Sequence, residues 1–155
     1  MEKRSVALSR VHMTELVLPN DTNQLGKLLG GRLMHWIDIA AAISAQRHCG
    51  MVCVTASVDE LNFHLPIKLG DVVTLQASVN RAFKTSMEVG VQVSSQNIIR
   101  RVAEHTNNAY LTFVAVDESG HPVEVPEVIP ETPEEQLRFE EALGRRQSRL
   151  HRRHH

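Results

Sequence analysis

A chain of 155 residues in which 17 Lys and Arg face 18 Asp and Glu, for a formal net charge of −1, fits one domain with a single core and advertises no affinity for a polyanion such as DNA. No stretch reaches the roughly 20 apolar residues of a membrane span, and no long apolar segment follows Met1-Glu2-Lys3-Arg4-Ser5 as in a secretory leader. The two cysteines, Cys49 and Cys53, sit close together among apolar residues, more like small core hydrophobes than a disulfide framework or a metal cage, and a reducing cytoplasm suits them.

Between residues 5 and 18 the apolar side chains Val6, Leu8, Val11, Met13, Leu16, Val17 and Leu18 recur at short intervals, which predicts an irregular edge strand. Pro19-Asn20-Asp21 ends it, because these residues favour turns. A polar loop continues through Asn23 to Gly26, and Gly30-Gly31 then leads into a helix expected over 32–48. That helix is dominated by Ala, Ile, Leu, Met and Trp, the composition of one buried on nearly every side. Between Arg32 and Arg47 only Asp38 carries a formal charge. Leu33, Trp36, Ile37, Ala40 and Ser44 form one stripe, and Met34, Asp38, Ala41, Ala42 and Ala45 its neighbour, so Asp38 falls on or beside a buried face. An unpartnered buried ion costs several kcal/mol, and function is the first explanation to test. Paired glycines at a helix start let a ligand approach free N–H groups and the positive end of the dipole.

Gly50 suits the end of the helix. Four segments with β-branched residues and partial alternation follow, at 52–58, 71–81, 86–96 and 107–117; in the third, Met87, Val89, Val91 and Val93 alternate with Glu88, Gly90, Gln92 and Ser94. Leu61-Asn62-Phe63 reads as a short extended piece and Leu69-Gly70-Asp71 as a turn. One strand, one long buried helix and then consecutive strands argue for an α+β fold, with an antiparallel sheet curled around the helix. Residues 1–125 form the domain, and 126–155 a proline-bearing linker and charged tail helix. In that helix Thr132 is the N-cap, Pro133 the first residue and Glu135 the capping-box acid. Its charges run from acidic to basic, with Glu134–Arg138 and Glu141–Arg145 as stabilising pairs, and the terminal 151–155 carries no functional argument.

Asp21-Thr22-Asn23, Gly26, Gly30-Gly31, Met34 and Asp38 together resemble the acyl-CoA thioesterases of the hotdog fold. So do Asn62-Phe63, Pro66 and Gly70-Asp71, and the strand ending at Val114-Ala115-Val116-Asp117. The likeness covers about residues 5–125. It implies a hotdog fold, a curved antiparallel sheet wrapped around one long central helix. It also implies a homodimer assembling into a higher homo-oligomer such as a hexamer, with sites between subunits, and a place in cytoplasmic fatty-acid metabolism. By this resemblance Asp38 corresponds to the catalytic carboxylate, Asn23 to an amide reaching it from the partner subunit, and Gly31 to the backbone donor to the thioester carbonyl. The chain departs from the family at Lys27, Leu29, Ala40 and Ala41, which bears on the shape of the acyl chain it would accept.

Hydrolysis of a thioester needs a nucleophile and a stabilised oxyanion. Asp38 could deprotonate water or attack directly to give a mixed anhydride, and both routes stay open. Asn23 has a donor and an acceptor, and helix N–H groups can meet the developing charge. No metal or organic cofactor is required, since coenzyme A is part of the substrate. The acyl chain is expected in an apolar channel between helix and sheet, and Lys84, Thr85 and Ser86 are the candidates for the CoA phosphates. Nothing calls for a nucleic-acid or membrane partner. Each residue also has a plainer reading: Asp38 paired with His35 one turn earlier, Asn23 in an Asx turn, the glycines in tight packing, Lys84-Thr85-Ser86 as a solvated strand start, and Asn62 as a core amide. His35, His64, His105 and His121 are scattered, which disfavours metal ligation. Two other functions compete, a non-catalytic acyl-CoA or lipid-binding protein with the same pocket and a hotdog hydratase, for which His35 and Asp38 are the one candidate pair.

Overall fold

The computed structural model describes residues 2–59, 66–103 and 107–153. The extended piece expected at 61–63, with Asn62 and Phe63, lies outside the described residues, as do His64, His105, His154 and His155. In chain order the elements are β1 (Lys3–Ser5), a 3-10 turn (Val6–Ser9), β2 (Val11–Leu16), a second 3-10 turn (Pro19–Asp21), α1 (Gly30–Cys49), β3 (Val52–Val58), β4 (Val72–Ala82), β5 (Ser86–Asn97), β6 (Val102–Ala103), β7 (Asn107–Val116), β8 (Glu127–Ile129) and α2 (Pro133–Arg153). The main sheet is antiparallel in the order β2-β4-β5-β7-β3, with β6 extending the end of β5. A small parallel pair, β1 with β8, stands apart.

Alternation decides which face is buried. Val73, Leu75, Ala77 and Val79 of β4, Met87, Val89, Val91 and Val93 of β5, and Ala109, Leu111, Phe113 and Ala115 of β7 are all buried. Against them α1 buries Leu33, Trp36, Ile37, Ala40, Ala41 and Ala45. Each large aliphatic side chain removed from water contributes about 1.5–3 kcal/mol, so this layer is the main source of stability. The small alanines let the sheet close tightly on the helix. That closure leaves no room for the expected acyl channel at the centre of the layer, where Ile37, Ala40, Ala41, Ala45, Val73 and Val79 are fully enclosed.

The opposite face of the sheet is partly covered by α2, whose buried residues are Glu135 and Ala142. Beneath it Glu88 of β5 is fully buried and accepts two hydrogen bonds from Arg145, at 2.9 and 2.7 Å, and one from Asn80 Nδ2 at 3.0 Å. Arg145 also stacks on the Tyr110 ring, 3.7 Å from its centroid. Gly90 makes room for this network, because a Cβ there would lie 2.7 Å from Asn80 Nδ2.

Several boundaries differ from expectation by one residue, and two differ by more. The predicted edge strand at 5–18 is broken by the 3-10 turn at Val6–Ser9, whose Ser9 hydroxyl donates to the Val6 carbonyl at 2.7 Å and accepts from Val79 N–H at 2.9 Å. The central helix starts at Gly30 instead of Arg32, so both glycines lie in its first turn. Gly50 closes it at φ 70°, a left-handed conformation that favours glycine. In α2 the Thr132 hydroxyl caps Glu135 N–H at 3.1 Å, but the Glu135 carboxylate reaches back to Glu131 N–H at 2.9 Å and not to the cap residue.

Candidate active site

Asp38 projects from the third turn of α1 at a half-buried position, and the Thr55 hydroxyl of β3 donates to its Oδ1 at 2.8 Å. Thr55 shares the inward-facing row of β3 with Cys53, since they lie opposite Phe113 and Ala115 of β7. Immediately after it the register shifts: Thr55 pairs with Phe113, but Ser57 pairs with Thr112, leaving Ala56 as an extra residue. A bulge of this kind bends a strand and re-aims its side chains. The sequence reading missed Thr55, for a threonine in a strand carries no motif and its partner is set by the fold. Among the described residues no hydrogen bond or ion pair joins His35 to Asp38, so the carboxylate's partner is Thr55, and the pair on which a hydratase would depend is not assembled.

The first turn of α1 is uncapped by any side chain; Leu29 holds the N-cap position and its carbonyl accepts from Arg32 and Leu33 N–H, each at 3.1 Å. No partner for the N–H groups of Gly30 and Gly31 occurs among the described residues. A Cβ at either glycine would meet nothing within 4 Å, so the helix end is open on that side. The start of the helix therefore offers free donors at its positive end. Asp38 follows Gly31 by two turns, about 20° from eclipsed and about 10 Å along the axis. Side chains lean toward the helix N-terminus, so the carboxylate and the donors lie along one stripe of the helix.

Asn23 does form the Asx turn of its plainer reading. Its Oδ1 accepts from Leu25 N–H at 2.9 Å and Lys27 N–H at 3.1 Å, while its Nδ2 has no partner among the described residues. The loop is anchored from both sides. Leu28 N–H donates to the Ile67 carbonyl at 2.7 Å and Leu69 N–H to the Gly26 carbonyl at 2.8 Å. Buried Asp21 accepts from Leu18 N–H at 2.9 Å and pairs with Arg32 at 3.2 Å, tying the loop to the first turn of α1. Asp71 of the Gly-Asp pattern accepts from Lys68 N–H at 2.9 Å and Asn97 Nδ2 at 3.3 Å, a turn-forming role. Within one chain no hydrogen bond joins Asn23 to Asp38 among the described residues.

Lys84, Thr85 and Ser86 form the β4–β5 hairpin, two strands away from β3. Ser86 is buried and its Oγ accepts from Arg146 of α2 at 3.3 Å; the Lys84 and Thr85 carbonyls accept from Val125 and Ala115 N–H at 3.0 and 3.1 Å. Of the three, only Lys84 is exposed.

A curved antiparallel sheet around a long helix, with one carboxylate on that helix and open donors at its start, describes a hotdog thioesterase, and comparison with known proteins agrees. Residues 25–100 match the thioesterase superfamily. The chain is 42% identical over 154 residues to the uncharacterized acyl-CoA thioester hydrolase YkhA of Bacillus subtilis (strain 168), covering 99% of this chain and 90% of that protein. It is 45% identical over 142 residues to mouse acyl-coenzyme A thioesterase 11, but spans only 24% of that protein's length. Among solved structures it resembles an apo-hexameric acyl-CoA thioesterase, with TM-score 0.93, 41% identity and coverage of 98% and 97% of the two chains. It also resembles the Staphylococcus aureus acyl-CoA hydrolase in complex with butyryl coenzyme A, coenzyme A and coenzyme A disulfide, with TM-score 0.90, 39% identity and coverage of 97% and 92%. The chain belongs to the thioesterase superfamily, among its hotdog-fold acyl-CoA hydrolases.

Proposed function

We propose that this protein hydrolyses the thioester of acyl-CoA to free CoA and a carboxylic acid, with Asp38 as the reacting carboxylate. The observation that carries this reading is the Thr55 to Asp38 hydrogen bond on the stripe that runs back to the open helix start. With Oδ1 held by Thr55, Oδ2 is left to take a proton from water or to attack the carbonyl carbon. The Gly31 N–H meets the carbonyl oxygen as it becomes an oxyanion. The Asn23 carbonyl is committed to two backbone N–H groups, so its amide acts as a donor, steadying the carbonyl oxygen or the water from the partner subunit. Alanine variants of one asparagine, one aspartate and one threonine of the Staphylococcus aureus hydrolase have been solved; those residues are spaced in that chain as Asn23, Asp38 and Thr55 are here, which supports the grouping.

Assembly follows from the edge of the sheet. Val52, Val54 and Val58 of β3 are 64%, 48% and 41% exposed, and an apolar edge strand with unpaired backbone groups favours pairing with another chain. The protein forms a homodimer in which each subunit lends Asn23 to its partner, and dimers associate into a hexamer as in the hexameric relative. Because the layer between α1 and the sheet is closed at its centre, the acyl chain lies at the surface that the partner completes. Lys84 and Thr85 remain the candidates for the CoA phosphates, with Ser86 bracing the hairpin from beneath α2. The reaction uses no metal or organic cofactor. Among the described residues no helix is long and apolar enough to cross a membrane, and a rat relative 36% identical over 146 residues is named cytosolic, which supports a cytoplasmic enzyme.

The test is release of CoA from a panel of acyl-CoAs. Asp38→Ala should retain the wild-type circular dichroism and melting profile while kcat falls by about 10²–10⁴-fold, the range for loss of a positioned base. Unchanged turnover in that variant would contradict the assignment, and binding without turnover across the whole panel by the unmutated protein would favour the lipid-binding alternative.

A further inference from the structure

Cys49 and Cys53 take no part in the proposed chemistry, yet they lie beside it. Cys49 is the last residue of α1, Gly50 turns the chain, and Cys53 is the second residue of β3, so the two sulfurs approach to 3.3 Å. Both thiols are free, and both lie against the Met51 carbonyl, at 3.6 and 3.4 Å. Cys53 points to the same side of β3 as Thr55 two residues later. A disulfide needs a sulfur separation of about 2.05 Å, so a closure of little more than about 1 Å would join them.

We propose that Cys49 and Cys53 form a reversible disulfide under peroxide, and that this crosslink slows hydrolysis by shifting Thr55 against Asp38. The proposal rests on the reading of Asp38 and Thr55 as the site. The Cys49 thiolate attacks one peroxide oxygen; an S–O bond forms, the O–O bond breaks, and the departing hydroxide is protonated to water. The Cys53 sulfur then attacks the sulfenic sulfur; the S–S bond forms, the S–O bond breaks, and the hydroxide leaves as water with the Cys53 proton. Two thiols lose two electrons and hydrogen peroxide is reduced to two waters. A reducing dithiol reverses the change.

The environment favours the first step at Cys49. The hydrogen bond from Cys53 draws its thiol down to about 6 against the opposing effect of burial, with Met51 and the charge of Arg4 adding to the lowering. The same hydrogen bond and burial push Cys53 up, so of the two thiols Cys49 is the one that gives up its proton first. Cys49 is enclosed at the end of α1 and Cys53 is half-buried beside it, so an oxidant that reaches the pair has to be as small as a peroxide. The consequence for rate follows from distance. The Thr55 to Asp38 bond, at 2.8 Å, has an ordinary length, and pulling β3 toward the end of α1 two residues away changes the aim of Thr55. Displacements of about 1 Å in a catalytic constellation can cost up to about 10²-fold.

The test uses the full-length assembled protein treated with hydrogen peroxide, quenched, and read by intact mass, thiol count and peptide mapping. Turnover is followed by thioester absorbance so that no thiol reagent intervenes. The expected result is the loss of two hydrogens, a Cys49–Cys53 crosslink, a kcat lowered at least about threefold with KM little changed, and recovery with dithiothreitol. Cys49→Ser and Cys53→Ser should keep the reduced-state rate and lose the reversible response. No crosslink under excess peroxide, a crosslink with unchanged kcat, or an equal reversible loss in Cys53→Ser would overturn the proposal. A reduced protein with no turnover would instead overturn the hydrolase reading and the rate effect together, while the mass measurement still decides whether the disulfide forms.

Discussion

The two long helices, of 20 and 21 residues, cover opposite faces of one sheet and do so by different physics. The first, α1, buries nine residues, mostly apolar, and its hold on the sheet comes from area removed from water. The second, α2, buries only Glu135 and Ala142, and its hold comes from guanidinium groups: Arg145 on Glu88 and Tyr110, Arg10 on Glu135, and Arg81 against the Phe139 ring at 4.0 Å. The apolar helix tolerates one carboxylate because that carboxylate faces a donor at the edge of the core. On the other side a carboxylate is the anchor itself. A charge in this molecule is therefore structural where it is fully enclosed and paired with arginine, and available for chemistry where it is half-open and held by a hydroxyl.

The contrast breaks most sharply at Glu88. Glu88→Ala leaves Arg145 and Asn80 without their shared acceptor, and removal of one partner from a buried pair costs about 3–5 kcal/mol. Urea denaturation should show that loss as a lower midpoint, with residual turnover per folded molecule little changed because Asp38 lies on the other face. Thr55→Val has the reverse profile. It retains shape but removes the donor to Asp38, and kcat should fall about tenfold with a stability change below about 1 kcal/mol.

A smaller effect belongs to His48, buried near the end of α1, whose Nε2 donates to the Pro126 carbonyl at 2.7 Å. Burial lowers its affinity for a proton below the ordinary value of 6.5, the Pro126 carbonyl partly opposing this and the charge of Arg4 adding to it. As pH falls through 6.5 the unfolded chain therefore takes up the proton before the folded one. The contribution is fully present above that pH and declines below it. Thermal melts from neutral to mildly acidic pH should show this decline in the wild type and a flatter profile in His48→Gln.

How much of this was legible in the sequence depended on how local the cause was. The run around Asp38 declared a buried helix, and the alternation of Met87, Val89, Val91 and Val93 declared a half-buried strand, because each pattern repeats within a few residues. The first helical turn was less legible, since glycine has poor helix propensity and Leu29 is no capping residue; the helix starts there because the anchored loop delivers it. The pairing of β1 with β8 joins Lys3 to Glu127, and no local pattern encodes such a contact. Thr55 was invisible for the same reason, its aim depending on a bulge and on a residue 17 positions away. The charges of α2 suggested pairs one turn apart, yet Arg145 lies 3.8 Å from Glu141 and 2.7 Å from Glu88, on another element. Asn23 was legible as a turn former by residue type, and its NH2 group, without a partner among the described residues, is free for the donor role that the resemblance implies.

The central claim is that each site takes Asp38 from one chain and Asn23 from its partner, and mixed dimers test it most directly. Asn23→Ala and Asp38→Ala subunits, differently tagged, are each inactive alone on this account. Co-purified as verified mixed dimers, they contain one site with both changes and one with neither, and should recover about half the wild-type turnover per dimer. Verified mixed dimers with no recovery would contradict it.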